Sequence, residues 1–307
     1  MPRALRTRNS LDAGGPSFLA RLSGNVRAMG PSAIVAITHL PSPRMNDALR
    51  TFIDVHAIDL GLAARQHEDY RRMLARAGAR VVVLDENLEH PDSVFVEDVA
   101  IVLDEVAVLT SMGAPSRRGE PRAIEPELRR HRAEIVRIEA PATIEGGDVL
   151  RVGRTIFVGA TARTNAAGIE ALEAVTRRFG YALRPVRVDG CLHLKTACTA
   201  LPDGTLLVNP RWVDLRDLAG FPVVHVADGE PDAANVALVG ERVLAGSGHP
   251  RTLDVVRGRG FVVDEVDLSE FAKAEGCATC LSILVPSPKV DLLATLMTMR
   301  AAKEGPR

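Results

Sequence analysis

The stretch that decides the fold is residues 99–110, VAIVLDEVAVLT, because its pattern returns three more times along the chain. Residues 148–159 read DVLRVGRTIFVG, residues 197–209 read ACTALPDGTLLVN, and residues 235–246 read NVALVGERVLAG. Each stretch joins two apolar, β-branched runs through a short polar turn, a pattern typical of a β-hairpin. A unit that recurs at such a period indicates an array of supersecondary structures that bury their apolar faces against one another.

Each hairpin is separated from the next by a helix and a strand. Apolar periodicity predicts helices over residues 60–79, 123–133, 166–179, 215–219 and 252–257. Apolar strands are predicted at 81–84, 135–138, 183–188, 222–226 and 262–266, with 33–38 and 281–285 completing the first and last blades. The paired strands favour a ring of ββαβ blades over a doubly wound α/β domain, which would place single strands between its helices.

The bulk composition is that of an ordinary globular protein. The 307 residues are 46% apolar and 25% charged, with a net charge of -1. This balance argues against nucleic acid as the main partner, and no apolar run approaches the roughly 20 residues that span a bilayer. Four cysteines do not make a disulfide framework, so we expect a reducing, cytoplasmic location.

The chain is expected to contain one folded domain, residues 31–286. Residues 1–30 are Arg-rich without a continuous apolar stretch, which favours a poorly ordered extension over a transit peptide. Residues 287–307 form a predicted helical tail, apolar on one face, which would pack on the ring or on a second subunit in a homodimer.

Two acidic segments are hard to explain by packing alone. Asp92, Glu97 and Asp98 interleave with apolar residues just before a strand that reads as buried, so they require pairing or a cationic ligand. Glu145 and Asp148 flank a Gly-Gly bend that lets the backbone approach another group closely. The alternative for both segments is an exposed turn with solvated acids.

Two further segments carry a histidine and cysteines. Strand alternation predicts that Cys191, His193 and Lys195 share one face, although His193 alone would suit a structural role. Cys280 lies among small residues at the start of an apolar strand, where a cysteine is usually a small hydrophobe unless a cation exposes its thiolate. Together, the four segments offer a nucleophile, an acid/base and acids for a cationic substrate.

At these segments the chain resembles the dimethylarginine dimethylaminohydrolases of the pentein superfamily. FVEDVA, GAPSRR, EGGDVL, FVGATARTN, HLK and a closing TC-x-S occur in the family's order between residues 34 and 285. The resemblance implies a five-bladed α/β-propeller that needs no cofactor or metal. It implies hydrolysis of methylated arginine to citrulline and an amine, through a thiouronium on a cysteine.

The resemblance also assigns roles to individual residues. It implies that Cys280 is the nucleophile, His193 the general acid/base and Glu145 its orienting carboxylate. Eight further residues would bind the substrate, a cationic amino acid. Asp98 would bind the guanidinium, Phe95 would contact the substrate's body, Asp92 and Glu97 would bind the α-amino group, and Arg117 and Arg163 the α-carboxylate. Leu49 would belong to the lid, and Glu275 would contact the substrate at a position where better-known members carry Asp.

Two alternatives remain open at this point. Glu275 is compatible with a related pentein that acts on unmethylated arginine, a deiminase or dihydrolase, whereas HLK and the SRR block favour the methylarginine enzymes. A zinc-binding structural protein is the other alternative, because Cys191, His193, Cys198, Cys277 and Cys280 offer enough nitrogen and sulfur ligands for a tetrahedral site.

Overall fold

A computed structural model describes residues 34–286, and it contains five three-stranded sheets of one pattern. In each sheet an inner strand pairs antiparallel with a middle strand, which pairs in parallel with an outer strand. The five-bladed α/β-propeller is therefore confirmed. The predicted extension (residues 1–30) and tail (287–307) lie outside the described residues.

Four sheets are consecutive along the chain and one joins its two ends. The consecutive sheets are β3–β5 (Ala100–Val102, Ala107–Leu109, Ile135–Arg137), β6–β8 (Val149–Val152, Thr155–Ala160, Ala182–Arg187), β9–β11 (Cys198–Ala200, Leu206–Val208, Val223–His225) and β12–β14 (Val236–Val239, Arg242–Gly246, Val262–Val266). In the fifth sheet, β15 (Ile283–Pro286) pairs antiparallel with β1 (Ile34–His39), and β1 pairs with β2 (Arg80–Leu84). This last pairing closes the ring, because the first and last described strands share one sheet.

The helices are α1 (Leu60–Arg76), α2 (Glu120–Leu128), α3 (Ala166–Arg177), α4 (Leu194–Ala197), α5 (Pro250–Gly258) and α6 (Ser269–Ala272). Helices α1, α2, α3 and α5 connect the middle strand of a sheet to its outer strand, whereas the short helices α4 and α6 precede the inner strands β9 and β15. The predicted helix at 215–219 is a single 3-10 turn, Leu215–Leu218. The helix predicted at 123–133 starts earlier, at Glu120, because Pro121 occupies its first turn, where proline is well tolerated. It also ends earlier, at Leu128. None of the helices in residues 34–286 has the length and hydropathy needed to cross a bilayer.

The core consists of five apolar clusters, each between two successive sheets. Ile37 and Ile283 of the closing sheet, for example, pack with Leu109 of the next sheet. Every sheet thus buries both faces, as the recurring hairpins predict. The inner strands also surround a cavity of about 240 Å³, whose wall contains residues of β3, β6, β9 and β12.

One buried histidine predicts how stability depends on pH. His67 of α1 is fully buried between Tyr70 and Phe271, and neither ring nitrogen has a hydrogen-bond partner within the described residues. Burial lowers the pKa of His67 from 6.5 to about 3, with Arg71 adding to the effect. The folded state therefore binds a proton at His67 less well than the unfolded state does. The contribution of neutral His67 to the free energy of unfolding is complete above pH 6.5 and is lost as the pH falls towards 3.

We expect His67→Leu to reduce the loss of stability between pH 7 and pH 5 by about 2 kcal/mol. Chemical denaturation of both proteins at the two pH values measures this difference. His56→Gln, at an exposed histidine, is the matched control and should leave the pH dependence as in the parent protein. Equal pH dependence in the parent and His67→Leu would contradict a neutral buried imidazole.

Candidate active site

A cavity of about 20 Å³ brings together most of the predicted site residues. It is lined by Cys280 and seven predicted substrate-binding residues: Leu49, Asp92, Phe95, Asp98, Arg117, Arg163 and Glu275. Leu192, Ala274 and Gly276 complete the wall, and no motif in the sequence pointed to Leu192. A void of this size holds about one water molecule. An amino-acid ligand therefore requires part of the wall to move.

Cys280 is the nucleophile candidate in this wall. Its sulfur accepts a hydrogen bond from the backbone N–H of Cys277 at 3.4 Å, and its carbonyl oxygen accepts one from the N–H of Glu97 at 3.2 Å. Burial, together with the nearby carboxylates of Glu97 and Asp98, raises the pKa of the Cys280 thiol to about 12. At neutral pH the sulfur is therefore a thiol, and a cationic ligand would favour its thiolate.

His193 and Glu145 form a buried hydrogen-bonded pair. The Nε2 atom of His193 lies 2.8 Å from Oε2 of Glu145, and its Nδ1 atom lies 3.9 Å from Oδ1 of Asp98. Burial alone would lower the pKa of His193, but Asp98, Asp148 and Glu145 together raise it above its usual value. The imidazole is therefore charged near neutral pH and can donate a proton.

Glu145 is held ionised although it is fully buried. One of its oxygens accepts hydrogen bonds from the N–H groups of Gly113 and Ala114, at 3.0 and 3.4 Å, and Arg163 Nη1 lies 3.3 Å from the other. Burial would raise the pKa of Glu145, but its hydrogen bond to His193 and the nearby cations lower it. A fixed carboxylate of this kind orients the imidazole.

Gly147 allows the close approach of His193 and Asp98. A Cβ atom at position 147 would lie 2.7 Å from Nδ1 of His193 and 2.8 Å from Oδ1 of Asp98. The N–H of Gly147 also donates to Asp98 Oδ1 at 3.1 Å. The Gly-Gly bend is therefore a part of the site rather than a plain exposed turn.

Arg117 contacts carboxylates within the wall. Its Nη1 atom lies 2.7 Å from Asp98, and its Nε and Nη2 atoms donate to Glu120. Nη2 also donates to the carbonyl oxygen of Phe95 at 3.1 Å. Arg117 lines the cavity, and its contact with Asp98 fixes the orientation of this acid, which lies on the same cavity.

Asp92 and Glu275 hold the irregular segment of residues 49–57, which contains Leu49, the predicted lid residue, and which we therefore call the lid. Asp92 accepts a hydrogen bond from the N–H of Leu49 at 3.1 Å. Glu275 accepts from the N–H groups of Thr51 and Phe52, at 2.6 and 2.9 Å. Glu275 has a φ of 61°, a left-handed conformation that is uncommon for a residue other than glycine. Its backbone strain and its lid contacts therefore occur at one position.

We expect Glu275→Ala to speed amide hydrogen exchange at Thr51 and Phe52 by about tenfold or more, since hydrogen bonds to a charged group contribute about 1.5–3 kcal/mol. Glu275→Gln keeps an acceptor and should show a smaller increase. Leu49 is the internal control, because its N–H is held by Asp92 instead. Unchanged exchange at Thr51 and Phe52 in Glu275→Ala would contradict a lid held by Glu275.

Glu97 differs from the other predicted substrate-binding residues in its position, and its role at the substrate's α-amino group stays a prediction. It does not line the cavity; its side chain lines the larger cavity among the inner strands. Lys195 donates to one oxygen of Glu97, and the Thr279 hydroxyl donates to the other at 2.6 Å. Burial raises the pKa of Glu97, and Lys195 opposes this effect. Glu97 therefore anchors the residue before Cys280.

The predicted strand alternation of Cys191, His193 and Lys195 is wrong. His193 has an extended backbone, but α4 begins directly after it, so the three side chains do not follow a strand. The cause is Asp148, which accepts a hydrogen bond from the N–H of Leu194 at 2.9 Å and thereby starts the helix. Sequence reasoning singled out Asp148 without finding this role.

A cluster of zinc-binding cysteines does not form. Within residues 34–286, the group of potential metal ligands that lie close enough together is Asp98, Glu145 and His193, which contains no cysteine. Arg117 already pairs with Asp98, and Arg163 with Glu145. The arrangement suits an acid/base pair of His193 and Glu145 next to Asp98 rather than a structural zinc site.

Comparison with known proteins points to one family. Residues 44–197 match the family described as N,N dimethylarginine dimethylhydrolase, eukaryotic. An N(G),N(G)-dimethylarginine dimethylaminohydrolase of Streptomyces coelicolor is 39% identical over 81% of this chain and 95% of its own length. The enzyme of that name from Pseudomonas aeruginosa is 37% identical over 73% of this chain and 89% of its own. A crystal structure of a mutant of the Pseudomonas aeruginosa enzyme with citrulline superposes with a TM-score of 0.77, at 34% identity, covering 81% of this chain and 98% of that one.

Proposed function

Because the chain belongs to the dimethylarginine dimethylaminohydrolase family, we propose that it hydrolyses dimethylarginine or monomethylarginine to citrulline and dimethylamine or methylamine. The observation that carries this proposal is the cavity in which Cys280 lies with Asp92, Asp98 and Arg163. It offers a thiol, acids for a cationic group and a cation for a carboxylate.

Asp98 and its neighbours are proposed to bind the substrate. Asp98 accepts the guanidinium and Phe95 lies against the substrate's body. Asp92 binds the α-amino group in place of the backbone N–H of Leu49, from which it accepts a hydrogen bond in this structure. Arg163 and Arg117 bind the α-carboxylate, since both line the cavity. Charge complementarity of this kind selects a cationic amino acid over a neutral one.

The first half of the reaction forms a covalent intermediate. The bound guanidinium lowers the pKa of the Cys280 thiol, which releases its proton to solvent water; the thiolate sulfur then attacks the central carbon and gives a tetrahedral adduct. His193, which Glu145 holds in its charged form, gives a proton to the departing amine nitrogen. The carbon–nitrogen bond breaks, dimethylamine leaves, and a thiouronium remains on the sulfur.

The second half consumes one water molecule. His193, now neutral, takes a proton from water, and the resulting hydroxide attacks the thiouronium carbon. The carbon–sulfur bond then breaks, releasing citrulline and restoring the Cys280 sulfur and the charged His193. The lid must open before and after each turnover, because the closed cavity is too small for the substrate or citrulline.

Product analysis tests this proposal against its alternative. With asymmetric dimethylarginine we expect equal amounts of citrulline and dimethylamine, whereas plain arginine should yield ammonia far more slowly. Ammonia from arginine at the higher kcat/KM would support the deiminase or dihydrolase alternative and contradict the proposal. Absence of both reactions would contradict both.

Location and assembly stay predictions. The four cysteines, Cys191, Cys198, Cys277 and Cys280, are all free thiols, which fits a reducing cytoplasm. The proposed homodimer rests on residues 287–307, outside the described part of the chain, and sedimentation of the full chain would test it.

A further inference from the structure

A second cavity, of about 470 Å³, adjoins the active-site cavity. The two cavities share Leu192, Glu275 and Gly276 in their walls, but Cys280 lines only the smaller one. We call the larger cavity the antechamber. Its volume is within the range of small-molecule binding sites, unlike the 20 Å³ beside Cys280.

Carboxylates dominate the charge of the antechamber. Asp232, Asp267 and Glu275 line it, and its described lining contains no lysine or arginine. Asp232 is exposed, and no hydrogen bond or ion pair to its carboxylate occurs within residues 34–286; partial desolvation raises the pKa of this acid, and His249 opposes the rise. The Asp267 carboxylate accepts a hydrogen bond from the N–H of Ser269 at 2.9 Å but has no cationic partner there. The cavity therefore complements a positive charge.

Trp212 adds an aromatic surface to these acids. It is the only tryptophan in the chain, and it lines the antechamber. Gly190, with a φ of +80°, lets the indole pack on the backbone, because a Cβ atom there would lie 2.8 Å from Trp212 Cδ1. Organic cations bind favourably over an indole face, and methylated ammonium groups are typical ligands of such sites.

We propose that the antechamber binds a small organic cation of the methylammonium or guanidinium class, next to the active-site cavity. The indole of Trp212 would contact the apolar part of the cation, while Asp232 and Asp267 balance its charge. This site goes beyond the proposed reaction and does not depend on it. The two classes correspond to the leaving amine and to the reacting end of the substrate.

Fluorescence of Trp212 tests the site with tetramethylammonium, a cation that carries no amino acid and no guanidinium. The titration uses full-length Cys280→Ser protein at constant ionic strength, with neutral tert-butanol as the comparison. We expect a saturable change with the cation and none with the alcohol. Equal responses to both compounds, or no saturable response, would overturn the proposal without bearing on turnover.

Variants locate the cation in the cavity. The double substitution Asp232→Asn and Asp267→Asn should weaken binding about tenfold, because it removes the negative charge of both carboxylates. Glu241→Gln removes an exposed carboxylate outside the cavity and should leave the affinity unchanged. The affinity of each single Asn variant is measured as well, so that the single variants still test the proposal if the double variant does not fold. Undiminished affinity in the Asn variants would overturn the proposal.

A second comparison separates the two sources of cation. Dimethylammonium and N,N-dimethylguanidinium are titrated into the Cys280→Ser protein and into its Asn variants. Tighter, carboxylate-dependent binding of dimethylammonium supports a site for the leaving amine, and tighter binding of the guanidinium supports a site for the substrate. If neither cation depends on Asp232 and Asp267, the proposal fails even if dimethylarginine is turned over normally.

Discussion

Replacement of Cys280 by alanine is expected to lower turnover of asymmetric dimethylarginine by a factor on the order of 10⁴ or more. The proposed reaction has a single nucleophile, and the cavity wall contains no second thiol, hydroxyl or amine among its described lining residues. Asp98 and Arg163 remain in place, so substrate binding should persist. Steady-state release of dimethylamine measures the first expectation and calorimetry the second.

Cys198→Ala is the matched control for this prediction. Cys198 is also a buried free thiol, but it packs in an apolar cluster and lines neither the active-site cavity nor the antechamber. Its loss should leave turnover near that of the parent protein. Substantial residual activity in Cys280→Ala would contradict covalent catalysis at this sulfur.

Replacement of His193 by alanine is expected to reduce turnover by about 10²–10⁴-fold, the usual contribution of general acid–base catalysis. His193 serves both halves of the reaction, first as the proton donor to the amine and then as the base for water. The thiol and the binding residues are unchanged, so the adduct still forms slowly with water as the proton donor, and it should accumulate because the base for its hydrolysis is missing. Stopped reactions, analysed for citrulline and protein mass, measure both effects.

Two comparisons separate proton transfer from loss of structure. His225→Gln, at an exposed histidine of β11, should leave turnover unchanged. Glu145→Gln removes a carboxylate that helps to raise the pKa of His193. The acid form of His193 should then be lost at a lower pH, and the alkaline limb of the rate profile should shift to lower pH. An unshifted limb would contradict His193 as the acid.

The fold could be predicted from the sequence because its repeating unit is local. Each hairpin joins strands that are neighbours along the chain, so β-branched runs and turn residues suffice to predict β3 and β4 or β12 and β13. The limits of α2 and the 3-10 turn at Leu215–Leu218 depend on finer local signals and were predicted less accurately.

Eight of the eleven predicted site residues line the cavity, but their contacts could not be predicted. FVED, EGGD and HLK contain distinctive residues, but which atoms meet depends on pairs far apart along the chain. Lys195 and Thr279 occupy the oxygens of Glu97, and Asp148 starts α4 beside His193. The lid contact of Glu275 likewise joins distant segments, and no local pattern reveals it.

The antechamber was not anticipated at all. Trp212, Asp232 and Asp267 lie in three separate segments, and none of them belongs to a motif. Only the ring brings them together, because loops from successive blades meet beside the active-site cavity. A cavity built in this way has no signature in a single sequence.

The measurement that tests covalent catalysis at Cys280 most directly is the mass of the His193→Ala protein after reaction with asymmetric dimethylarginine. We predict an increase equal to the substrate less dimethylamine, located by peptide mapping on the fragment that contains Cys280. The Cys280→Ala, His193→Ala double variant should show no increase. Citrulline formation without any adduct, or an adduct on another residue, would contradict the account.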